Sequence, residues 1–418
     1  MSAACNVAPT ENPNVNPLTP VFAHPTLRLI GVALLLLGAL NASIYPYQSL
    51  IGIEKIGLSE PAFALVMVLT SAVAVTSSVF FGIAGDQRGQ RRRIALIAAL
   101  CSMVALAMML ALPGPITFIV AHGILLPIAS SLYGQFFALA RLASPADNSS
   151  RDAILGTIRA AMSISFLAML IFWAFAFGGG ADVMAIYFSA ALASLGLLIL
   201  IWYGWPHDGA TAWADQPSGL NMQQAFREIG QPHVMLRLLL LGAISAAGVL
   251  YFVLISLVFE TSAVRDAGDV ALYVGLVAGW EVPCLLLMPR LVARMSRSTA
   301  IACGTGLYVL HLIGLPLLCD TPWIWAMTLV AGVGGTAIIS LPILYYQDML
   351  VGRPGTAGAM LALQKLVADV LAAAAFGFGT AIGGYTTVAV IGAILALVAA
   401  TSLYLADRQA WLIPTERA

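Results

Sequence analysis

Twelve separate stretches of this 418-residue chain each hold about 20 mostly apolar residues, the length an α-helix needs to cross the hydrocarbon of a bilayer. They fall near 27–48, 61–84, 93–112, 117–141, 153–177, 181–204, 234–259, 268–292, 300–318, 323–349, 357–381 and 384–406. In lipid the backbone must satisfy its own hydrogen bonds, so stretches of this kind fold as helices packed side by side. Composition agrees: 9% of residues are charged, against roughly 25% in a soluble domain. The expected fold class is therefore an all-α polytopic membrane protein. Net charge is zero, which gives nucleic acid or an acidic partner no electrostatic handle.

Most connections are short, so consecutive helices are antiparallel. Arg88, Arg91, Arg92 and Arg93 follow the second stretch, Arg141 and Arg151 bracket the fourth loop, and Arg227 and Arg237 border the central one. Arg290, Arg294, Arg297, Arg353, Arg408 and Arg417 fall on that same side, while the opposite side holds only Lys55 and Arg265. Loops rich in arginine stay in the cytoplasm, which places both termini there. Residues 1–26, rich in Asn, Pro and Thr without a basic start, read as a flexible cytoplasmic tail and not as a signal peptide. The polar segment 205–233 divides a bundle at 27–204 from a second at 234–406, and 407–418 forms the final tail. Within that segment, "NMQQAFREIG" has the pattern of a helix lying on the membrane surface, or is a plain linker. "LYGQFFALAR" (132–141) and "LYYQDMLVGR" (344–353) match at four offsets and close the fourth and tenth helices, as a parallel repeat requires. Cys5, Cys101, Cys284, Cys303 and Cys319 have no metal or CxxC spacing, so no metal site and no cofactor are expected.

The loop "GIAGDQRGQRRRIAL" (82–96) sets an acid, a glycine turn and a basic cluster between two helices. Positive-inside topology explains its arginines but not Asp86. With twelve stretches and a six-plus-six division, the loop resembles that of the major facilitator superfamily, G-x-x-x-D-R-x-G-R-R. Gly82, Asp86, Gly89 and Arg91 match, while Gln87 and Gln90 stand where that pattern has basic residues. "FALARLASPADNSSRD" (137–152), "IRAAM" (158–162), "GWEVP" (279–283) and "YYQDMLVGRPGTAG" (345–358) narrow the resemblance to the sugar efflux transporter family. Arg159-Ala160-Ala161 replaces that family's Arg-Ala-Gln, and its following Gly-Pro is absent. The resemblance implies a monomeric exporter in the bacterial inner membrane, moving small sugars, glycosides or related polar molecules, by exchange with protons.

Four charges lie inside apolar stretches: Arg159, Glu281, Lys365 and Asp369. Each costs about 2.5–3.5 kcal/mol at a helix centre unless it faces protein or water. Lys365 and Asp369, four apart, share a helix face. In the major facilitator arrangement helix 5 lies near helix 8 and helix 2 near helix 11, which would bring Arg159 to Glu281. Either these are structural ion pairs, or one carboxylate binds and releases a proton during transport. Asp86, Gly89, Arg91, Arg141 and Asp348, at cytoplasmic helix ends, are candidates for latches between the halves, or are solvated edge groups.

The superfamily lines its cavity with helices 1, 4, 7 and 10. Their polar residues at membrane depth, Asn41, Tyr45, Gln48, Ser131, Gln135, Tyr251, Tyr345 and Gln347, with Trp280 on helix 8, are the candidate substrate contacts. Amides and hydroxyls suit sugar hydroxyls, and aromatic rings suit the apolar face of a pyranose. The set carries no charge, which favours a neutral polar solute. Interhelical hydrogen bonding is the other reading for each. Pro46 and Pro127 are expected to kink helices 1 and 4, Pro283 and Pro342 to do likewise in helices 8 and 10, and His122 and His311 to be satisfied core histidines. A proton-coupled multidrug exporter is the nearest rival function. A membrane-embedded enzyme or sensor is disfavoured: the chain has no HExxH, GxSxG or P-loop and no soluble output domain.

Overall fold

The computed structural model describes residues 18–88, 91–144, 148–207, 230–292, 295–349 and 354–412. Every secondary-structure element among the described residues is helical, as burial of an apolar chain in lipid demands. A single turn at Leu18–Ala23 leads into α1, Pro25–Lys55. There follow α2 (Glu60–Arg88), α3 (Arg91–Ala111), α4 (Pro115–Ala143), α5 (Asn148–Gly178) and α6 (Val183–Gly204). The second series is α7 (Pro232–Glu260), α8 (Ala267–Val292), α9 (Arg297–Leu318) and α10 (Ile324–Met349). A last helical run, Pro354–Leu412, leaves helical geometry at Gly383 and at Gly384, whose φ of 74° is one that residues with a Cβ rarely adopt. That break makes two arms, α11 (354–382) and α12 (385–412). Among the described residues eleven runs are long and apolar enough to cross a membrane, and because the last of them folds back at Gly383–Gly384, they make twelve candidate spans. The linker at 208–229 lies outside the described residues.

Local chemistry sets several boundaries. Proline opens α1, α4 and α7, where a missing N–H costs nothing. The Ser296 hydroxyl accepts from Thr299 N at 3.2 Å to cap α9. Asp266 and Asp269 exchange backbone-to-carboxylate bonds at the start of α8. Of the four prolines expected to disturb helices, Pro46 and Pro127 mark irregular turns, while Pro283 and Pro342 sit inside runs that stay α-helical. Tyr45–Tyr47, around Pro46, is a 3₁₀ turn inside α1, and a π turn at Ala121–Leu125 precedes Pro127 in α4.

The first six helices form one bundle, with α1 packed on α5 and α6 and α3 on α6. The second six form another, with α7 against both arms of the last run, α8 against α10 and α9 against α10 and α12. The halves meet along two seams, α5 with α8 and α2 with α11, and where α1 reaches α7. We call the face where α1 begins and α12 ends proximal, and the other distal. At the distal face Ser49 of α1 donates to Val253 O at 2.6 Å, and its Oγ lies 3.0 Å from Ser256 Oγ, both on α7 and fully buried. Nearby Tyr47 donates to Ala267 O at 3.3 Å, and Phe63 of α2 meets Phe376 of α11 edge-on at 5.9 Å. These contacts seal the distal end between the halves.

Candidate functional site

Lys365 and Asp369 stand one turn apart on α11 and form an ion pair. Asp369 also accepts a hydrogen bond from Ser71 of α2, so the carboxylate bridges the two halves. The pair is asymmetric: the lysine side chain is 67% exposed and the aspartate 7%. Ser71 lies eleven residues into α2, roughly 17 Å from its distal end, and Asp369 thirteen before the break, roughly 20 Å. They meet near the middle of a hydrocarbon layer about 30 Å thick. Tyr45 of α1 is close enough to feel both charges. One turn away Gln364 donates to Ser245 Oγ of α7 at 2.6 Å, which fixes the α11 face in rotation.

Glu281 and Arg159 do not pair, which corrects the expectation that the α5–α8 seam would join them. The seam itself forms, with Gly268 and Gly275 of α8 against Ala174, Gly178, Leu167 and Leu170 of α5. Carried along two antiparallel helices, that register sets Arg159 about one turn nearer the proximal face than Glu281. Glu281 turns into its own bundle instead, where Gly335 of α10 leaves room. A Cβ there would stand 3.1 Å from Glu281 Oε1 and 3.3 Å from the Tyr308 ring. Arg159 is exposed.

A small cavity of about 40 Å³ opens in the first half between α1, α3 and α4. Its polar lining is Asn41, Tyr45, Ser102 and Ser130, set among leucines. Gln48 is half-buried farther along α1. Ser131 and Gln135 of α4 are buried, and the Ser131 hydroxyl donates to Ile128 O at 2.7 Å. Trp280 packs on Gly332 of α10 and stays 42% exposed. Two expected cavity residues are drawn inside the second bundle. Tyr251, 2% exposed, is walled in by Tyr273, Tyr308 and His311. Tyr345 donates to Asp407 Oδ1 at 2.8 Å and accepts from Arg237 Nε at 2.9 Å, so its hydroxyl is committed to a bridge between α7, α10 and α12. The Gln347 side chain lies outside the described residues.

The latch set is dispersed. Asp348 pairs with Arg297 at 2.7 Å, inside the second half, and so does not reach across to the first. Arg141 is exposed in the last turn of α4, and Arg91 is half-buried in the first turn of α3. The Asp86 side chain and Gly89 lie outside the described residues. No cluster of metal-ligand side chains occurs among the described residues.

Sequence reasoning missed Ser71, a small hydroxyl in an apolar helix 298 residues from its partner. It read Arg237 only as a topology marker, while Arg237 Nη2 pairs with Asp407 at 3.0 Å. His122 meets its expectation, 2.8 Å from the Tyr187 hydroxyl, but neither ring nitrogen of His311 has a hydrogen-bond partner.

No protein-family model matches the chain. It is 26% identical over 396 residues to the "Putative sugar efflux transporter" of Deinococcus radiodurans, covering 88% of this chain and 95% of that one. To sugar efflux transporter A of Escherichia coli it is 24% identical over 336 residues, 79% of this chain and 81% of the other. A crystal structure of a mutant of the nucleoside transporter NupG superposes with a TM-score of 0.75 at 14% identity, covering 91% of this chain and 99% of that one. The peptide transporter POT in complex with sulfate gives 0.73 at 11% identity, covering 95% and 99%.

Proposed function

We propose that this chain, a multi-pass membrane homologue of the sugar efflux transporters with the major facilitator fold, exports small neutral sugars or glycosides in exchange for protons. It is a transporter and not an enzyme. In this reading the proximal face is cytoplasmic, the protein sits in the inner membrane, and it works as a monomer by alternating access.

The observation that carries the proposal is the Ser71–Asp369–Lys365 contact in mid-membrane. Charge at that depth persists only when paired or wet. Asp369 depends on a donor from the opposite half, so rocking the halves apart along the α2–α11 seam removes the Ser71 hydroxyl. The carboxylate then regains a partner by taking up a proton, and gives it back when the seam closes. Lys365 faces outward from the pair, where solute or water reaches it. The distal seal means that exposure at Lys365 and Tyr45 opens from the proximal side, an inward-facing state in this reading. The uncharged lining at Asn41, Tyr45 and Ser130 supports a neutral solute with several hydroxyls.

The test uses the purified chain in liposomes with radiolabelled glucose, galactose and lactose. Asp369→Asn is expected to lower pH-gradient-driven transport about tenfold or more while sugar counterflow without a gradient persists. Full gradient-driven transport in that variant would rule out the Asp369 role. Transport of lipophilic cations, with no sugar moved, would favour the multidrug reading.

A further inference from the structure

A second polar centre lies inside the α7–α12 bundle, away from Asp369. Both ring nitrogens of His311 and the hydroxyls of Tyr251 and Tyr273 are buried without a hydrogen-bond partner. None of the three residues is more than 2% exposed. Their rings are in contact: His311 lies 5.0 Å from Tyr251, 5.3 Å from Tyr308 and 5.9 Å from Tyr273. Four unpaired buried polar atoms around one imidazole are costly as packing alone, since burial without a partner forfeits hydration. The comparable histidine of the other half, His122, is hydrogen-bonded and stacked on Phe118.

The centre is elongated across the membrane. At its inner end Glu281 lies beside Gly335 and the Tyr308 ring, and its charge reaches both Tyr308 and Tyr251. At its outer end Tyr273 packs 6.1 Å from Trp325, over which the Arg265 guanidinium sits at 5.3 Å near the distal face. Tyr273 is eight residues before Glu281 on α8, so the column covers roughly 12 Å between them. The groups facing it are few. α7 supplies Tyr251, α8 Tyr273, Glu281 and Cys284, and α9 Tyr308 and His311. From Ile324 to Leu344, α10 has no ionisable residue, and α12 meets the bundle through Gly392 against Leu250 and Leu312. Asp269, Arg265 and Cys319 mark the distal mouth.

We propose that this column is a proton path through the second bundle, leading from the distal face to Glu281 by way of Tyr273, His311 and the Tyr308 and Tyr251 hydroxyls. It rests on the proton exchange proposed above and adds a route and a second acceptor. A proton from distal water is taken up at one imidazole nitrogen of His311 as the other nitrogen releases one. No two of these groups hydrogen-bond directly, so each transfer passes through a water lodged between neighbours, which also supplies the partner the buried nitrogens and hydroxyls lack. Each tyrosine oxygen accepts a proton from the water on one side and passes its own to the water on the other. The chain of transfers ends with a neutral Glu281 carboxylic acid and one proton fewer in the distal water; the tyrosines are again neutral phenols and His311 is a neutral imidazole in its other tautomer, which must revert before the next proton passes. Because the route lies inside one bundle, it stays available while the halves are sealed together distally. Sugar and proton then reach mid-membrane by different ways. Glu281 is a proton-carrying group in this account, and His311 and Tyr308 are relay groups that need not touch sugar.

The test is full-length protein in liposomes, with the same three labelled sugars, comparing wild type with His311→Phe and Tyr308→Phe. Both substitutions keep a ring of similar shape and remove only the relay atoms, and thermal unfolding checks that each variant is folded. The expected result is a fall of about tenfold or more in pH-gradient-driven transport, with counterflow in the absence of a gradient within about twofold of wild type. The residual driven transport should also lose the pH dependence of the wild type. Driven transport unchanged in both variants overturns the path, as does an equal loss of counterflow and driven transport, which marks a packing role. Wild-type counterflow that no pH gradient drives overturns proton exchange and path together. No counterflow of any of the three sugars in wild type overturns the sugar-transport reading as well.

Discussion

Asp369 is held by two groups, one from its own helix and one from α2, and their unequal exposure decides how each substitution acts. Lys365→Ala removes the cation and leaves a buried carboxylate with the Ser71 hydroxyl alone. The expected destabilisation lies between the ~1 kcal/mol of a solvated pair and the ~3 kcal/mol of a fully buried one. Lys365→Ala with Asp369→Asn removes both charges and should recover most of that loss, because the uncompensated charge and not the missing contact is the costly term. Thermal unfolding in detergent checks both, and a double variant less stable than the single one would refute the account. The pair itself is legible in the sequence, since two opposite charges four apart in an apolar stretch have few other uses. Ser71 is not, because a serine in a membrane helix is ordinary and its partner comes from the other half of the chain. Glu281 is legible as a charge in an apolar stretch but its neighbour is not: it lies against Gly335 and the Tyr308 ring in its own bundle, away from Arg159. His122 and His311 look alike as letters and differ only in what the fold sets around them.

At the scale of the helix, apolar length dictated almost everything. The twelve apolar stretches correspond to helices α1 to α12 among the described residues, and the link between α11 and α12 is a glycine break inside one continuous helical run. Gly379 faces Val388 across that break, so the arms pack from their first turn and leave no slack for a longer loop. Gly384, at φ 74° and ψ −162°, occupies a region almost restricted to glycine. Gly384→Val is expected to cost about 1–3 kcal/mol, read as a lower unfolding temperature, whereas Gly57→Asn, at an αL-type φ of 81° in the α1–α2 turn, should cost less. Equal losses at the two positions would contradict this. The prolines of α1 and α4 were legible as irregular turns. The bridge through Arg237, Tyr345 and Asp407 was not, since these residues lie up to 170 positions apart and each alone reads as an ordinary helix-end group.

For the whole molecule the question is which face is shut. Hydrogen bonds between the halves, among the described residues, run from Ser71–Asp369 in mid-membrane to Tyr47–Ala267 and Ser49–Ser256 at the distal end. A transporter that alternates must break the distal set once per cycle while its two bundles stay intact. The Ser49 and Ser256 oxygens are 3.0 Å apart, close enough for cysteines at the same positions to meet disulfide geometry with small adjustment. In a background lacking Cys5, Cys101, Cys284, Cys303 and Cys319, the pair Ser49→Cys and Ser256→Cys should cross-link on mild oxidation. Transport should then stop and return on reduction, while each single variant keeps transporting under the same oxidant. Cross-linked protein that still moves its solute would mean that the distal contact between α1 and α7 does not open during the cycle. The bundles would then have to part along the α5–α8 and α2–α11 seams, and among the described residues the Ser71–Asp369 and Tyr47–Ala267 bonds would be the interhalf hydrogen bonds left to break.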